Sequence, residues 1–249
     1  MFLNCDLGES FGAWTMGLDA EVMPYIDQAN VATGFHAGDP MVIQHTLRLA
    51  KQHGVTVGAH PAYPDLVGFG RRSMACSRDE IIAKIHYQVA AMDGMASVAG
   101  LDLRYVKPHG ALYNDMMAKE DVRLAILEAL AEYHRPLALM LQATPEVDQH
   151  RKEADTAGIE VWFEAFADRC YADDGKLLSR RLDGAVHSRD KMLAQVAQLC
   201  EKGSVTTISG IELPVAADTL CVHGDNAEGV AAIRDIRALV NKTSDSAAG

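Results

Sequence analysis

The sequence predicts a parallel α/β architecture, closed into a barrel or left as an open sheet, with its chemistry gathered on one face. Three observations predict it. Short β-like runs alternate with longer helix-like runs along nearly the whole chain. Several helix starts carry caps that mark where a loop hands over to a helix. Clusters of glycine with polar residues fall just after the β-like runs, where parallel α/β folds assemble their ligand sites. A chain of 249 residues suits one α/β barrel or two small domains.

Taken in order, the first strand, Phe2–Asp6, leads into Asn4-Cys5-Asp6-Leu7-Gly8-Glu9-Ser10-Phe11-Gly12. The second, Ile26–Ala32, leads into Asn30 to Pro40, which contains Gly34-Phe35-His36-Ala37-Gly38-Asp39. There Asp39-Pro40 supplies an N-cap and a first-turn proline for a helix over Met41–His53. The third strand, Val55–Ala59, runs into Gly58-Ala59-His60-Pro61 and on to Asp65 and Gly68-Phe69-Gly70-Arg71-Arg72. Ser77-Arg78-Asp79-Glu80 has capping-box spacing and opens a helix over Arg78–Ala99, in which Met92–Met95 reads as packing. The fourth strand, Leu103–Val106, leads to Lys107-Pro108-His109-Gly110-Ala111-Leu112-Tyr113-Asn114, and an amphipathic helix follows over Lys119–His134. The fifth, Leu137–Leu141, precedes Thr144-Pro145, which repeats the cap-and-proline device for a helix over Pro145–Ala157. The sixth, Glu160–Glu164, ends in Glu164-Ala165-Phe166-Ala167-Asp168-Arg169, before a helix over Arg189–Lys202 that His187 is placed to cap. Ser204–Ala217 breaks the rhythm and reads as an extra hairpin. The seventh, Thr219–Val222, ends in Cys221-Val222-His223-Gly224-Asp225-Asn226, before a helix over Ala227–Val240. Residues 1–241 are expected to form one domain, and the polar residues 242–249 a disordered tail.

Composition narrows the function. Lys and Arg number 23 against 34 Asp and Glu, a net charge of −11, whereas a nucleic-acid surface needs clustered cations. Five dispersed cysteines with no C-x-x-C pair argue against a disulfide framework or zinc ribbon and point to a reduced cytoplasm. The N-terminus lacks the basic and apolar regions of a secretory signal, and no apolar run reaches the length of a membrane span.

Four of the ten histidines, His36, His60, His109 and His223, occupy strand ends. No H-E-x-x-H occurs and no other local spacing specifies a protein-bound metal. A P-loop and a dinucleotide fingerprint are likewise missing. General acid–base chemistry by Asp6, Glu9, His36, His60, Asp65 and His109 is what these residue types support, with Lys107, Arg71 and Arg72 able to meet an anion. Asp39 and Asp225 also read as helix caps, and Cys5 as a small buried residue. His45, His53, His86, His134 and His150 lie in or at the ends of predicted helices and read as structural or solvent-facing.

The clusters named above, from Asn4–Glu9 through Gly34–Pro40, Gly58–Pro61, Gly68–Arg72 and Lys107–Tyr113 to Cys221–Asp225, together resemble the LamB/YcsF family, the A subunits of bacterial 5-oxoprolinase. The match runs in order from near residue 2 to about residue 240, with Cys5 where alanine is usual and Thr33 where cysteine is expected. The resemblance implies a single-domain, seven-stranded β/α barrel of the glycoside hydrolase/deacetylase type. It also implies ATP-dependent opening of 5-oxo-L-proline to L-glutamate together with B and C subunits, with magnesium as the counter-ion of ATP. Under that reading a carboxylate among Asp6, Glu9 and Asp65 activates water, and His36, His60 and His109 manage protons. Asn4, Arg71, Arg72, Lys107, Asp168, Arg169 and His223 then form the substrate- and phosphate-binding set. Two rivals fit the same residues: a metal-dependent amide or carbohydrate hydrolase or deacetylase, and a non-catalytic lactam-binding subunit.

Overall fold

A computed structural model of the chain describes residues 1–180, 182–223 and 227–246. Seven parallel strands close into a barrel: β1 (Phe2–Leu7), β2 (Gln28–Ala32), β3 (Thr56–His60), β4 (Leu103–Val106), β5 (Ala138–Gln142), β6 (Val161–Phe166) and β9 (Thr219–Cys221). They neighbour one another in that order, and β9 closes the ring against β1 through Phe2–Thr219 and Asn4–Cys221. Around them lie α1 (Asp19–Val22), α2 (Pro40–His53), α3 (Arg78–Ala99), α4 (Gly110–Ala118), α5 (Glu120–Ala131), α6 (Val147–Ala157), α7 (Arg189–Lys202) and α8 (Ala227–Ser246). The expected hairpin is present as the antiparallel pair β7 (Ser204–Thr206) and β8 (Glu212–Pro214).

The caps act as their chemistry dictates. Asp39 Oδ1 accepts from the Met41 and Val42 amides, with Pro40 in the first turn of α2. Ser77 and Glu80 form a reciprocal capping box on α3. Other boundaries differ from expectation. Thr144-Pro145 is a turn: Thr144 Oγ1 accepts from the Glu146 amide, and α6 begins at Val147 without a side-chain cap. His187 does not cap α7; its Nε2 faces Gln195 Oε1 at 3.2 Å. The single helix expected over Lys119–His134 is preceded by α4, which starts directly on the fourth polar cluster, and α5 stops at Ala131. The expected tail begins inside α8, which runs to Ser246, and residues 247–249 lie outside the described residues, as does the Asp225 cap.

Alternation along the strands sorts the two faces of the barrel. Leu3, Cys5 and Leu7, with Val31, Val57, Leu139, Leu141 and Phe163, face outward into the apolar layer beneath the helices. Met92 joins that layer and is fully buried. The inward positions are unusually polar for a barrel interior, which is commonly filled by Val, Ile and Leu. Asn4 and Asp6, Gln28 and Asn30, Glu164 and Thr219 point in and are buried or nearly so. At Gly58 an added Cβ would sit 2.2 Å from the Tyr105 ring, so the strand passes the ring only because it has no side chain there.

Candidate active site

The inward side chains form a continuous hydrogen-bonded column. Thr219 Oγ1 donates to Gln28 Oε1 (2.6 Å) and accepts from Asn4 Nδ2 (3.0 Å). Asn30 Nδ2 donates to Asn4 Oδ1 (2.9 Å) and Asp6 Oδ1 (2.8 Å), while Tyr105 donates its hydroxyl to Asn30 Oδ1 (2.7 Å). Above them Lys107, just past β4, places its buried ammonium 3.1 Å from Asp6 Oδ1 and 3.0 Å from Glu164 Oε2, with Cys221 Sγ at 3.2 Å. Burial opposes the charge of this ammonium, yet the Asp6 and Glu164 carboxylates hold its pKa well above the usual lysine value. Burial likewise opposes the Asp6 carboxylate, and His60, Lys107 and His223 together keep it ionised well below the ordinary range. Cys5 and Cys221 are pushed up by burial and are not thiolates.

Three strand-end histidines close on one another at the top of the column. His60 Nδ1 donates to the Lys107 carbonyl (2.6 Å), and His109 Nε2 donates to the Phe69 carbonyl (2.9 Å). Their remaining nitrogens, His60 Nε2 and His109 Nδ1, stand 3.0 Å apart. His36 stacks on His109 with ring centroids 3.7 Å apart, and its Nε2 lies 3.2 Å from Glu9 Oε1. Burial first, then the neighbouring rings, holds His36 and His109 well below the usual imidazole pKa. Burial raises that of Glu9. Phe69 adopts φ +53°, an uncommon backbone for a large side chain, and its ring packs edge-on to His36 and His109. Gly70 follows at φ +63°; a Cβ there would come within 2.9 Å of both His109 and His36. The strained turn is thus what brings the Phe69 carbonyl under His109.

A cavity of about 490 Å³ opens over this floor. Asp6, Glu9, His60, Lys107, His109 and His223 line its base, and Arg71, Arg169, Lys176 and Arg180 line its walls. His223 Nδ1 donates to both oxygens of buried Asp168 (2.9 Å each), and its Nε2 lies 3.8 Å from Asp6 Oδ2. Arg169 donates to the Ala185 carbonyl and to that of Leu178, and burial and Arg180 pull its pKa down to about 10. Gln142 anchors the covering loop through the Gly175 carbonyl (2.8 Å), and the β7–β8 hairpin props the same loop through Thr207 and Ser209 on Asp173.

Of the expected site residues, Asp6, Glu9, His60, His109, Lys107, Arg71, Arg169 and His223 therefore meet at one cavity. His36, Asn4 and Asp168 stand behind it as partners of Glu9, of Lys107 and Asn30, and of His223. Asp65 and Arg72 are not among the cavity residues: Asp65 binds the Arg72 guanidinium and the Gly68 amide, which holds its carboxyl below the usual range and ties down the Phe69–Gly70 turn. Sequence reading missed Asn30, Tyr105, Gln142, Glu164, Lys176 and Arg180 as parts of the site. The first four share the inward strand parity of Asp6, His60 and Lys107, a signal present in the sequence once the strands are aligned. Among the described residues, two sets of donors lie close enough to hold a metal ion: Glu9, His36, His60 and His109, and Asp6, Cys221 and His223.

A closed parallel β/α barrel whose carboxylates, histidines and buried lysine share a cavity at the carboxyl ends of the strands has the layout of a barrel enzyme. The chain belongs to the LamB/YcsF family, whose profile matches residues 1–248. It is 57% identical over 238 residues to the second 5-oxoprolinase A subunit of Pseudomonas putida, covering 95% of this chain and 92% of that one. It is 52% identical over 245 residues to the 5-oxoprolinase A subunit of Pseudomonas fluorescens, covering 98% of each. Among solved structures it superposes on the lactam utilization protein of Thermus thermophilus with a TM-score of 0.89 and 39% identity, covering 98% of this chain and 97% of that one. No helix among the described residues is long and apolar enough to cross a membrane.

Proposed function

We propose that this chain is the A subunit of an ATP-dependent 5-oxoprolinase, which opens 5-oxo-L-proline to L-glutamate together with B and C partner subunits. The observation that carries this reading is an ionised carboxylate and a charged lysine, Asp6 and Lys107, held 3.1 Å apart at the floor of the strand-end cavity. The relatives' names point to the same reaction. A five-membered lactam is an amide with little strain to drive its opening, so coupling to ATP, with magnesium as its counter-ion, supplies the driving force. Phosphorylation of the lactam oxygen leaves a carbon that water can attack.

Asp6 orients and deprotonates that water, which its ionised state allows. Lys107 offsets charge growing on oxygen, and Arg71, Arg169, Lys176 and Arg180 on the walls meet the anionic groups of the substrate. Ring opening requires nitrogen to leave, and nitrogen must gain a proton to do so. The His223–Asp168 pair relays it: Asp168 holds the ring proton on Nδ1, and Nε2, 3.8 Å from Asp6 Oδ2, passes to the nitrogen the proton that Asp6 takes from water. Free, dispersed cysteines fit a cytoplasmic enzyme. The reading is tested by Asp6→Asn in a complex shown to be folded and assembled. ATP-coupled glutamate formation should fall by about 10²-fold or more; unchanged turnover would remove Asp6 from the chemistry.

A further inference from the structure

We propose that Glu9, His60 and His109 form a divalent-cation site at the base of the cavity. A carbonyl oxygen can only accept a hydrogen bond, so the bonds to the Lys107 and Phe69 carbonyls place the ring protons on His60 Nδ1 and His109 Nε2. With both rings neutral, the two nitrogens that face each other at 3.0 Å both present lone pairs. Two acceptors at that distance repel unless something positive lies between them. Each ring is fixed from behind by a backbone carbonyl, the arrangement that orients metal-bound imidazoles.

The third ligand completes the set. Glu9 Oε1 lies 3.5 Å from His109 Nδ1, and its ion-pair partners among the described residues are His36 and His109, with no lysine or arginine. It is a buried carboxylate without a permanent countercharge. His36 donates to it from the side away from the cavity and would steer its free lone pairs. Asp6 Oδ2, 3.3 Å from His60 Nε2, is in reach as a further ligand. Metal–ligand bonds of about 2.0–2.1 Å put neighbouring donors about 2.9–3.4 Å apart, close to the spacings found here. Two imidazoles and a carboxylate suit zinc, cobalt or another first-row divalent ion. Glu9, His60 and His109 also border the cavity, so water or substrate can take the remaining positions. No local spacing encodes the site because its ligands come from the ends of three different strands.

This inference does not rest on the oxoprolinase reading, and its test reads cation content rather than turnover. The full chain is stripped with chelator, titrated calorimetrically with Co²⁺ and with Zn²⁺, then desalted and assayed for metal by elemental analysis. One equivalent of Co²⁺ per chain, with a visible d–d spectrum that Zn²⁺ abolishes, is expected. His60→Gln and His109→Gln should each weaken binding about tenfold or more, whereas His45→Gln, an exposed position, should leave it unchanged. Folding of each variant is checked by circular dichroism. Failure of the folded wild-type chain to retain either ion overturns the proposal, and this arm decides the matter even if a variant does not fold. Equal retention by both folded histidine variants overturns it as well.

Discussion

Replacing Lys107 by methionine probes the column of buried polar side chains at its most charged point. The substitution keeps the length of the stem and removes an ammonium that lies 3.0 Å from Glu164 and 3.1 Å from Asp6. Asp6 retains His60 and His223 nearby, but Glu164 is wholly buried and Lys107 is its ion-pair partner. The carboxylate left behind must stay charged in an apolar setting or take up a proton. Protonating a carboxyl of ordinary acidity, about 4.3, at pH 7 costs about 1.36 × 2.7, or ~3.7 kcal/mol. That figure falls within the roughly 3–5 kcal/mol lost when one partner of a buried pair is removed.

The cost carries a pH signature. At pH 5 the same protonation costs only about 1 kcal/mol, so the deficit of the variant against wild type shrinks as pH falls. Urea unfolding at pH 7 and pH 5, followed by circular dichroism, measures both values. The double variant Lys107→Met with Glu164→Gln should recover most of the pH 7 loss and show little pH dependence relative to wild type. A deficit that is equal at the two pH values, or a double variant less stable than the single one, would refute the reasoning.

Three further outcomes follow from particular contacts. Gly58→Ala drives a methyl into the Tyr105 ring and should cost about 1–3 kcal/mol by thermal or chemical unfolding, with no loss seen if the strand and ring shift freely. Tyr105→Phe removes a donor from buried Asn30 Oδ1 and should cost about 1–3 kcal/mol, and a neutral result would mean that water replaces the hydroxyl. In the cation-free chain, burial and neighbouring rings keep His36 and His109 below the imidazole value of the unfolded chain, about 6.5. The unfolded chain therefore takes up protons first, and stability falls as pH drops below about 6.5, by up to ~1.4 kcal/mol per pH unit for each ring. His109→Gln should flatten that slope between pH 7 and 5.5; an unchanged slope would show that His109 is not held neutral.

Much of the architecture is legible before any coordinates. Alternating β-like and helix-like runs mark all seven barrel strands, and Asp39-Pro40 and Ser77–Glu80 cap helices by the chemistry their side chains dictate. Thr144-Pro145 misleads because the same dipeptide serves equally well as a turn, and the chain uses it as one before α6 begins at Val147. α4 is hidden because its first residues are also site residues: Gly110 takes a positive φ, and Ala111 donates to the Gly70 carbonyl. The site is legible at strand ends, where glycine and histidine stand out, and less so within the strands. Glu164 and Asn30 look like isolated polar residues until the barrel closes and sets them beside Lys107 and Asp6. Asp65 and Arg72 show the opposite error: both sit in a glycine-flanked loop, and there they bind each other.

The proposed reaction opens a cyclic amide in this cavity at the expense of ATP when the partner subunits are present. The most direct measurement mixes the purified chain with and without its B and C partners, supplies 5-oxo-L-proline and ATP, and quantifies glutamate and inorganic phosphate. Glutamate and phosphate are expected to form together in the complete mixture and to be lost with Asp6→Asn. A complete, assembled mixture that forms no coupled glutamate would contradict the proposed reaction.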